Sequence, residues 1–142
     1  MLYWLARPWR QAFNFSDRAT RREYWLFVVQ LYVVFLLLMF LTGVALGLAY
    51  PAALDDEGSP LIGTLALIAF LLLLIPYLSA SVRRLHDHDK TGWLFLLTLV
   101  PLAGWVFYLI MMLTPGTQGE NGYGSDPRDK LESERDMAEV FR

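Results

Sequence analysis

The sequence contains no cysteine. Disulfides, thiolate metal centres and cysteine nucleophiles are therefore excluded. Charge is also scarce. Asp, Glu, Lys and Arg make up 18% of the chain, against about 25% in a typical soluble domain. The shortage is concentrated in three stretches, Trp25 to Tyr50, Leu61 to Val82 and Trp93 to Leu113, which hold no Asp, Glu, Lys, Arg or His. A Gly-rich phosphate loop, a G-x-S-x-G elbow and an H-E-x-x-H helix are all missing. The sequence thus lacks the signatures of nucleotide hydrolysis, serine hydrolysis and zinc proteolysis.

What the chain has instead is apolar surface. Its hydrophobic fraction is 56% over 142 residues, above the roughly 45–50% of soluble domains. Each of the three blocks exceeds the roughly 18 residues needed for a spanning helix. A soluble helix keeps a polar face. Block one offers only Gln30 and Thr42 for that purpose, and block two only Thr64, Ser79 and Ser81. The expected architecture is all-α: an integral membrane protein with three transmembrane helices and an amphipathic interfacial N-terminal segment. Residues 1–24 form that segment, 25–113 the three-helix membrane domain, and 114–142 a Gly/Pro-rich, charged C-terminal tail. Block one is too long for a signal-peptide core of about 7–15 residues, and reads as a retained anchor.

Charge placement sets the expected orientation. Arg7, Arg10, Arg18, Arg21 and Arg22 precede block one, and Arg83, Arg84 and Lys90 separate blocks two and three. Between blocks one and two lie only acids: Asp55, Asp56 and Glu57. The positive-inside rule then predicts a cytoplasmic N-terminus. Three full crossings would put the C-terminal tail on the opposite side.

Along the chain, Leu2, Trp4, Leu5, Trp9 and Phe13 suggest an apolar stripe, interrupted by Pro8. Trp, Phe and Arg together suit the headgroup layer. Ser16, Asp17 or Thr20 can cap the first long helix, and Thr20 with Glu23 forms a Thr-x-x-Glu capping box. Residues 51–60 read as a turn between antiparallel helices, and 83–92 as the second connection. Residues 128–142 suit a short charged helix or a mobile end. Gly43 and Gly47 make a GxxxG step for helix packing, within the chain or across a dimer. Pro76 and Pro101 each remove a backbone donor and predict kinks.

Three polar segments carry a family resemblance. Phe15, Arg18, Arg21, Glu23, Tyr24 and Trp25 resemble the F-x-G-R-x-x-R-x-E-Y-W pattern of the DUF805 family, with Asp17 where that family usually has Gly. Arg83, Arg84, Leu85, His86 and Asp87, then Gly92 and Trp93, resemble its R-R-L-H-D and S-G-W, with Thr91 for Ser. Pro115, Gly116, Thr117, Gly119, Asn121, Tyr123, Gly124, Asp126 and Pro127 resemble its P-G-T-x-G-x-N-x-[YF]-G-x-D-P. The resemblance covers roughly residues 13–127. It implies a small, multi-pass protein of the bacterial inner membrane and carries no assigned activity.

Read from chemistry alone, Arg18, Arg21, Arg22, Arg83 and Arg84 gather at one membrane face. They would attract anionic lipid at about 1 kcal/mol per basic residue, or serve only to fix topology. Asp17 and Arg21 have helical i,i+4 spacing, and Glu23 or Asp87 can bridge helices. His86, Asp87, His88 and Asp89 raise a metal reading, but on a helix the two histidines diverge and no third ligand cluster exists. No metal, cofactor or catalytic set is therefore assigned. The basic residues flank spans and match no nucleic-acid-binding motif. The leading expectation is a non-enzymatic membrane protein. It binds anionic lipid or a membrane partner through Arg18, Arg21, Arg22, Glu23, Arg83, Arg84, His86 and Asp87. The alternatives are an oligomeric transport or channel subunit, and a headgroup-layer enzyme using His86 and Asp87 as acid–base pair.

Overall fold

The computed structural model describes residues 2–49 and 60–129. The expected turn at 51–59, the far part of the tail from residue 130, and the side chains of Leu2, Trp4 and Leu5 lie outside the described set. Helix α1 spans Leu2–Arg10, α2 Arg21–Ala49 and α3 Pro60–Asp87; a 3-10 helix follows at Gly92–Leu99, then α4 at Ala103–Leu113.

Helix α1 continues through Pro8, where the sequence suggested a break. Proline removes one i→i−4 donor, and a short helix has few such bonds to lose. The helix lies against α2: Trp9 meets Phe27 edge-on at 5.2 Å, and its indole N–H donates to Gln30 Oε1 at 2.7 Å.

Helix α2 starts where its cap chemistry dictates. Thr20 Oγ1 accepts the Glu23 amide at 3.2 Å. That is one half of a capping box; the Glu23 carboxylate, the other half, is used elsewhere. Because the helix begins at Arg21, Asp17 precedes it and the four-residue spacing to Arg21 is not a helical one. Helix α3 opens with Pro60 at its first position, where a missing N–H costs nothing. It runs past the apolar block to Asp87, so Arg83, Arg84, His86 and Asp87 are helical. A Schellman motif ends it. Lys90 N donates to Leu85 O at 3.1 Å and Asp89 N to His86 O at 3.0 Å, with Asp89 left-handed at φ 55°.

The fold class agrees with the sequence: helical, integral to the membrane, with two long apolar spans and a third apolar helix. Mean hydropathy reaches 2.5 within Arg21–Leu48 and 2.4 within Gly63–Asp87. The third apolar helix, α4, is 11 residues long, shorter than the block predicts. Its block divides at Pro101. Leu102 takes φ 61°, ψ −64°, and Ala103 N donates to Pro101 O at 2.7 Å, a γ-turn with positive φ. Gly104 then presses on the Leu97 carbonyl, where any Cβ would overlap it. The chain reverses there and returns. His88 Nε2 donates to Met111 O at 2.6 Å. Trp25 Nε1 donates to Met112 O at 3.1 Å. Each arm is about 16 Å long, at roughly 2.0 Å per 3-10 residue and 1.5 Å per α residue. That is about half of a 30 Å hydrocarbon core.

This path corrects the expected position of the tail. Residues 114–129 lie at the same end as the start of α2 and the end of α3. Every Lys and Arg among the described residues is at this end. The buried core is there too: Tyr24, Phe27, Leu31, Ala80, Leu85, Tyr108 and Met112. Beyond it, α2 and α3 continue as a bare pair. Leu36, Leu37, Phe40, Leu41, Leu48, Leu67, Ile68 and Leu72 are all exposed. Only 6% of the most apolar window of α2 is buried within the chain. Such surface requires acyl chains as solvent.

Candidate functional site

The polar end is organised by two buried carboxylates. Glu23, on the first turn of α2, accepts from Arg83 at 3.0 Å through Oε1 and from Arg7 at 3.3 Å through Oε2. Arg83 also donates to Gln11 Oε1 at 2.6 Å. One carboxylate thus joins α1, α2 and α3. Ser79 adds a second tie, donating to the carbonyls of Gln11 at 3.2 Å and Asn14 at 2.7 Å.

Asp87 anchors the second centre, on the last turn of α3. Its Oδ1 accepts Arg18 Nε at 3.2 Å and an Arg18 terminal nitrogen at 3.1 Å. Its Oδ2 accepts Arg84, which also donates to the Thr114 carbonyl. Arg18 is then saturated by the C-terminal loop, donating to the carbonyls of Gly119 at 2.6 Å, Thr117 at 2.7 Å and Gly124 at 3.1 Å. Thr117 N donates to Asp87 O at 2.8 Å. Asn121 Nδ2 donates to His86 O and to Thr117 Oγ1, both at 2.9 Å. Asp126 closes the loop by accepting Gly119 N at 3.1 Å and Arg128 N at 2.9 Å. Gly116 abuts Asp87 so closely that any Cβ would overlap its carboxylate. The Gly/Pro-rich segment is therefore a fitted cover, with no room for a larger residue at that point.

One turn further into the membrane, a hydroxyl cluster ties α2, α3 and α4. Tyr108 Oη is 2.7 Å from Tyr24 Oη, 2.9 Å from Tyr77 Oη and 2.9 Å from Ser81 Oγ. Ser81 donates its own proton to Tyr77 O at 2.8 Å, so it accepts from Tyr108. Tyr108 in turn accepts from Tyr24 and Tyr77. Every hydroxyl proton has a destination, as a low-dielectric setting requires.

Of the residues named from sequence, the structure brings Arg18, Glu23, Arg83, Arg84 and Asp87 together, but inward. Arg18, Arg83 and Arg84 are 1%, 0% and 0% exposed. Unpaired guanidinium at that depth is very costly, and carboxylate plus carbonyl acceptors offset the desolvation. Arg21 and Arg22 are exposed. With Trp25, Leu26 and Val29 they line a groove of about 480 Å³. His86 and Asp87 are not paired. The His86 ring stacks on Tyr123 at 3.8 Å, while the Asp87 carboxylate is taken by two arginines. His88, just past the helix end, turns away from His86 to the Met111 carbonyl. Burial, and secondarily the Arg84 charge, lowers the His88 pKa below its ordinary value. A Cβ added at Gly43 would meet nothing within 4 Å, so that step of the GxxxG face is open among the described residues.

Sequence reasoning missed Gln11, Tyr77 and Tyr108 as site members. Tyr77 and Ser81 carried a signal, hydroxyls one helical turn apart in an otherwise apolar block. Thr117, Asn121, Tyr123 and Asp126 stood in a noted motif, but their target, the Arg18–Asp87 pair, is not encoded locally.

Comparison with known proteins gives a consistent picture. The profile of a family described as "Protein of unknown function (DUF805)" matches residues 12–125. The chain is 33% identical over 127 residues to inner membrane protein YhaI of Escherichia coli strain K12, covering 89% of this chain and 97% of that protein. It is 32% identical over 125 residues to inner membrane protein YhaH of the same strain, covering 88% and 96%. No solved structure matches.

Proposed function

The chain belongs to the DUF805 family, and on that premise we propose that it is a non-enzymatic inner-membrane protein that binds anionic phospholipid from the cytoplasmic leaflet through Arg21 and Arg22. The inner-membrane assignment follows the names of its relatives. Gathering of the described basic residues at one end favours a cytoplasmic N-terminus by the positive-inside rule. The observation that carries the lipid reading is the contrast among the arginines. Arg18, Arg83 and Arg84 are buried on internal acceptors, whereas Arg21 and Arg22 are exposed beside an apolar groove. Two guanidiniums above Trp25, Leu26 and Val29 offer a phosphate contact and an acyl-chain contact in the right order of depth.

The test is an Arg21→Gln, Arg22→Gln double variant, extracted gently and assayed for bound phosphatidylglycerol against phosphatidylethanolamine. At about 1 kcal/mol per basic residue, relative retention of the anionic lipid should fall roughly 30-fold. An unchanged ratio in a variant that melts like the parent would refute the assignment.

A further inference from the structure

Among the described residues, the chain is far wider at one end than the other. At the level of Tyr24 and Ser81, five helical segments share the cross-section: α1, α2, α3, the 3-10 helix and α4. Contacts fix all of them there. Trp9 of α1 sits on Phe27, Phe95 of the 3-10 helix meets both Tyr77 and Tyr108 edge-on, and Tyr108 of α4 bonds Tyr24. At the level of Phe40 and Leu67, only α2 and α3 remain among the described residues. The hairpin of residues 92–113 reverses about halfway through the hydrocarbon. Its turn is apolar and open, with Leu99 78% and Leu102 83% exposed. These side chains meet lipid tails, since water is absent at that depth.

We propose that the protein is a one-leaflet wedge, whose partner is a lipid surface bent so that the leaflet holding its polar end is convex. A helix with side chains is about 10 Å across. Adding three segments to one leaflet and none to the other expands the first, and convex bending relieves that imbalance. Insertion of apolar elements into a single leaflet is curvature-sensitive for this reason. The rigidity of the wide end matters as much as its width. The Glu23 and Asp87 centres and the Tyr108 cluster join α1, α2, α3, α4 and the C-terminal loop, so lateral pressure has no soft seam to close.

The inference does not depend on Arg21 and Arg22, and its test uses phosphatidylcholine, a zwitterion of zero net charge, to keep the two apart. The absence of cysteine allows single labels. Lys90→Cys and Ser125→Cys both lie at exposed positions of the wide end. Each full-length variant is reconstituted into small sonicated and large extruded vesicles, then treated with a membrane-impermeant maleimide before and after detergent. In small vesicles the wide end should face outward, with externally labelled protein exceeding internal by roughly two-fold or more. In large vesicles the two populations should approach equality. Both labels should report the same face in every preparation. Equal orientation in small and large vesicles would overturn the wedge, as would an inward preference in small ones. Labelling of Lys90→Cys and Ser125→Cys from opposite faces would overturn the returning hairpin on which it stands.

Discussion

The two halves of the α2–α3 pair are made from much the same residues and fare differently. Near the polar end, Phe27 and Leu31 are buried among Tyr24, Tyr108 and Met112. Two to three turns further on, Leu37, Phe40 and Leu41 have lipid for neighbours. Apolarity decides that both halves enter a bilayer. It does not decide where helices pack, because lipid tails solvate Leu as well as another helix does. The added information in the polar half is hydrogen-bonding capacity: Glu23, Asp87, Ser79, Ser81, Tyr77 and Tyr108 each need a partner, and meeting those needs fixes the geometry.

If polar partners carry the packing, the largest effect should come from Asp87→Asn. Two buried guanidiniums lose their counter-charge, at a cost of about 3–5 kcal/mol. Thermal unfolding in detergent should show a strongly lowered midpoint and early loss of the C-terminal cover to protease. A near-parental melt would place the stability elsewhere.

The same small substitution made in each half sharpens the contrast. Gly116→Ala drives a methyl into the Asp87 carboxylate and should cost about 1–3 kcal/mol, the usual range for overpacking. Gly43→Ala meets open space and should stay within about 0.5 kcal/mol. Equal melting shifts for the two would erase the distinction between the halves.

The smallest effect is one of pH. His88 Nε2 donates to the Met111 carbonyl, and burial depresses its pKa. The unfolded chain then binds the proton more readily than the folded one. This contribution to stability is complete above the unfolded value of about 6.5 and declines as pH falls below it. Parent and His88→Gln melts, compared from neutral to mildly acidic pH, should converge toward the acid end. Parallel curves would contradict this.

Much of the fold was legible in the sequence. Uninterrupted apolar runs specify insertion, and Thr20 marks the start of α2. The motif residues Arg18, Glu23, Arg83, Arg84 and Asp87 do assemble into one region. Two features were not legible. The first is the path of block three. A run of Trp, Leu, Phe and Val fits a straight span or a doubled one equally well, and the choice falls to Pro101, Leu102 and Gly104 acting together. The second is the direction in which the arginines point. At a membrane entry, a guanidinium pairs with phosphate or with carboxylate. For Arg18 the deciding partner is 69 residues away, beyond any local pattern.

The cover over Arg18 has a consequence for biogenesis. Thr117, Gly119 and Gly124 follow every described apolar helix along the chain and are made after them. Until they emerge, Arg18 holds only its carboxylate partner, and the inserted intermediate carries under-satisfied cation at the bilayer surface. A chain that stops before this stretch lacks the three carbonyls that accept from Arg18. The carbonyls of this one turn thus complete the Arg18 site only after the helices it joins have been made.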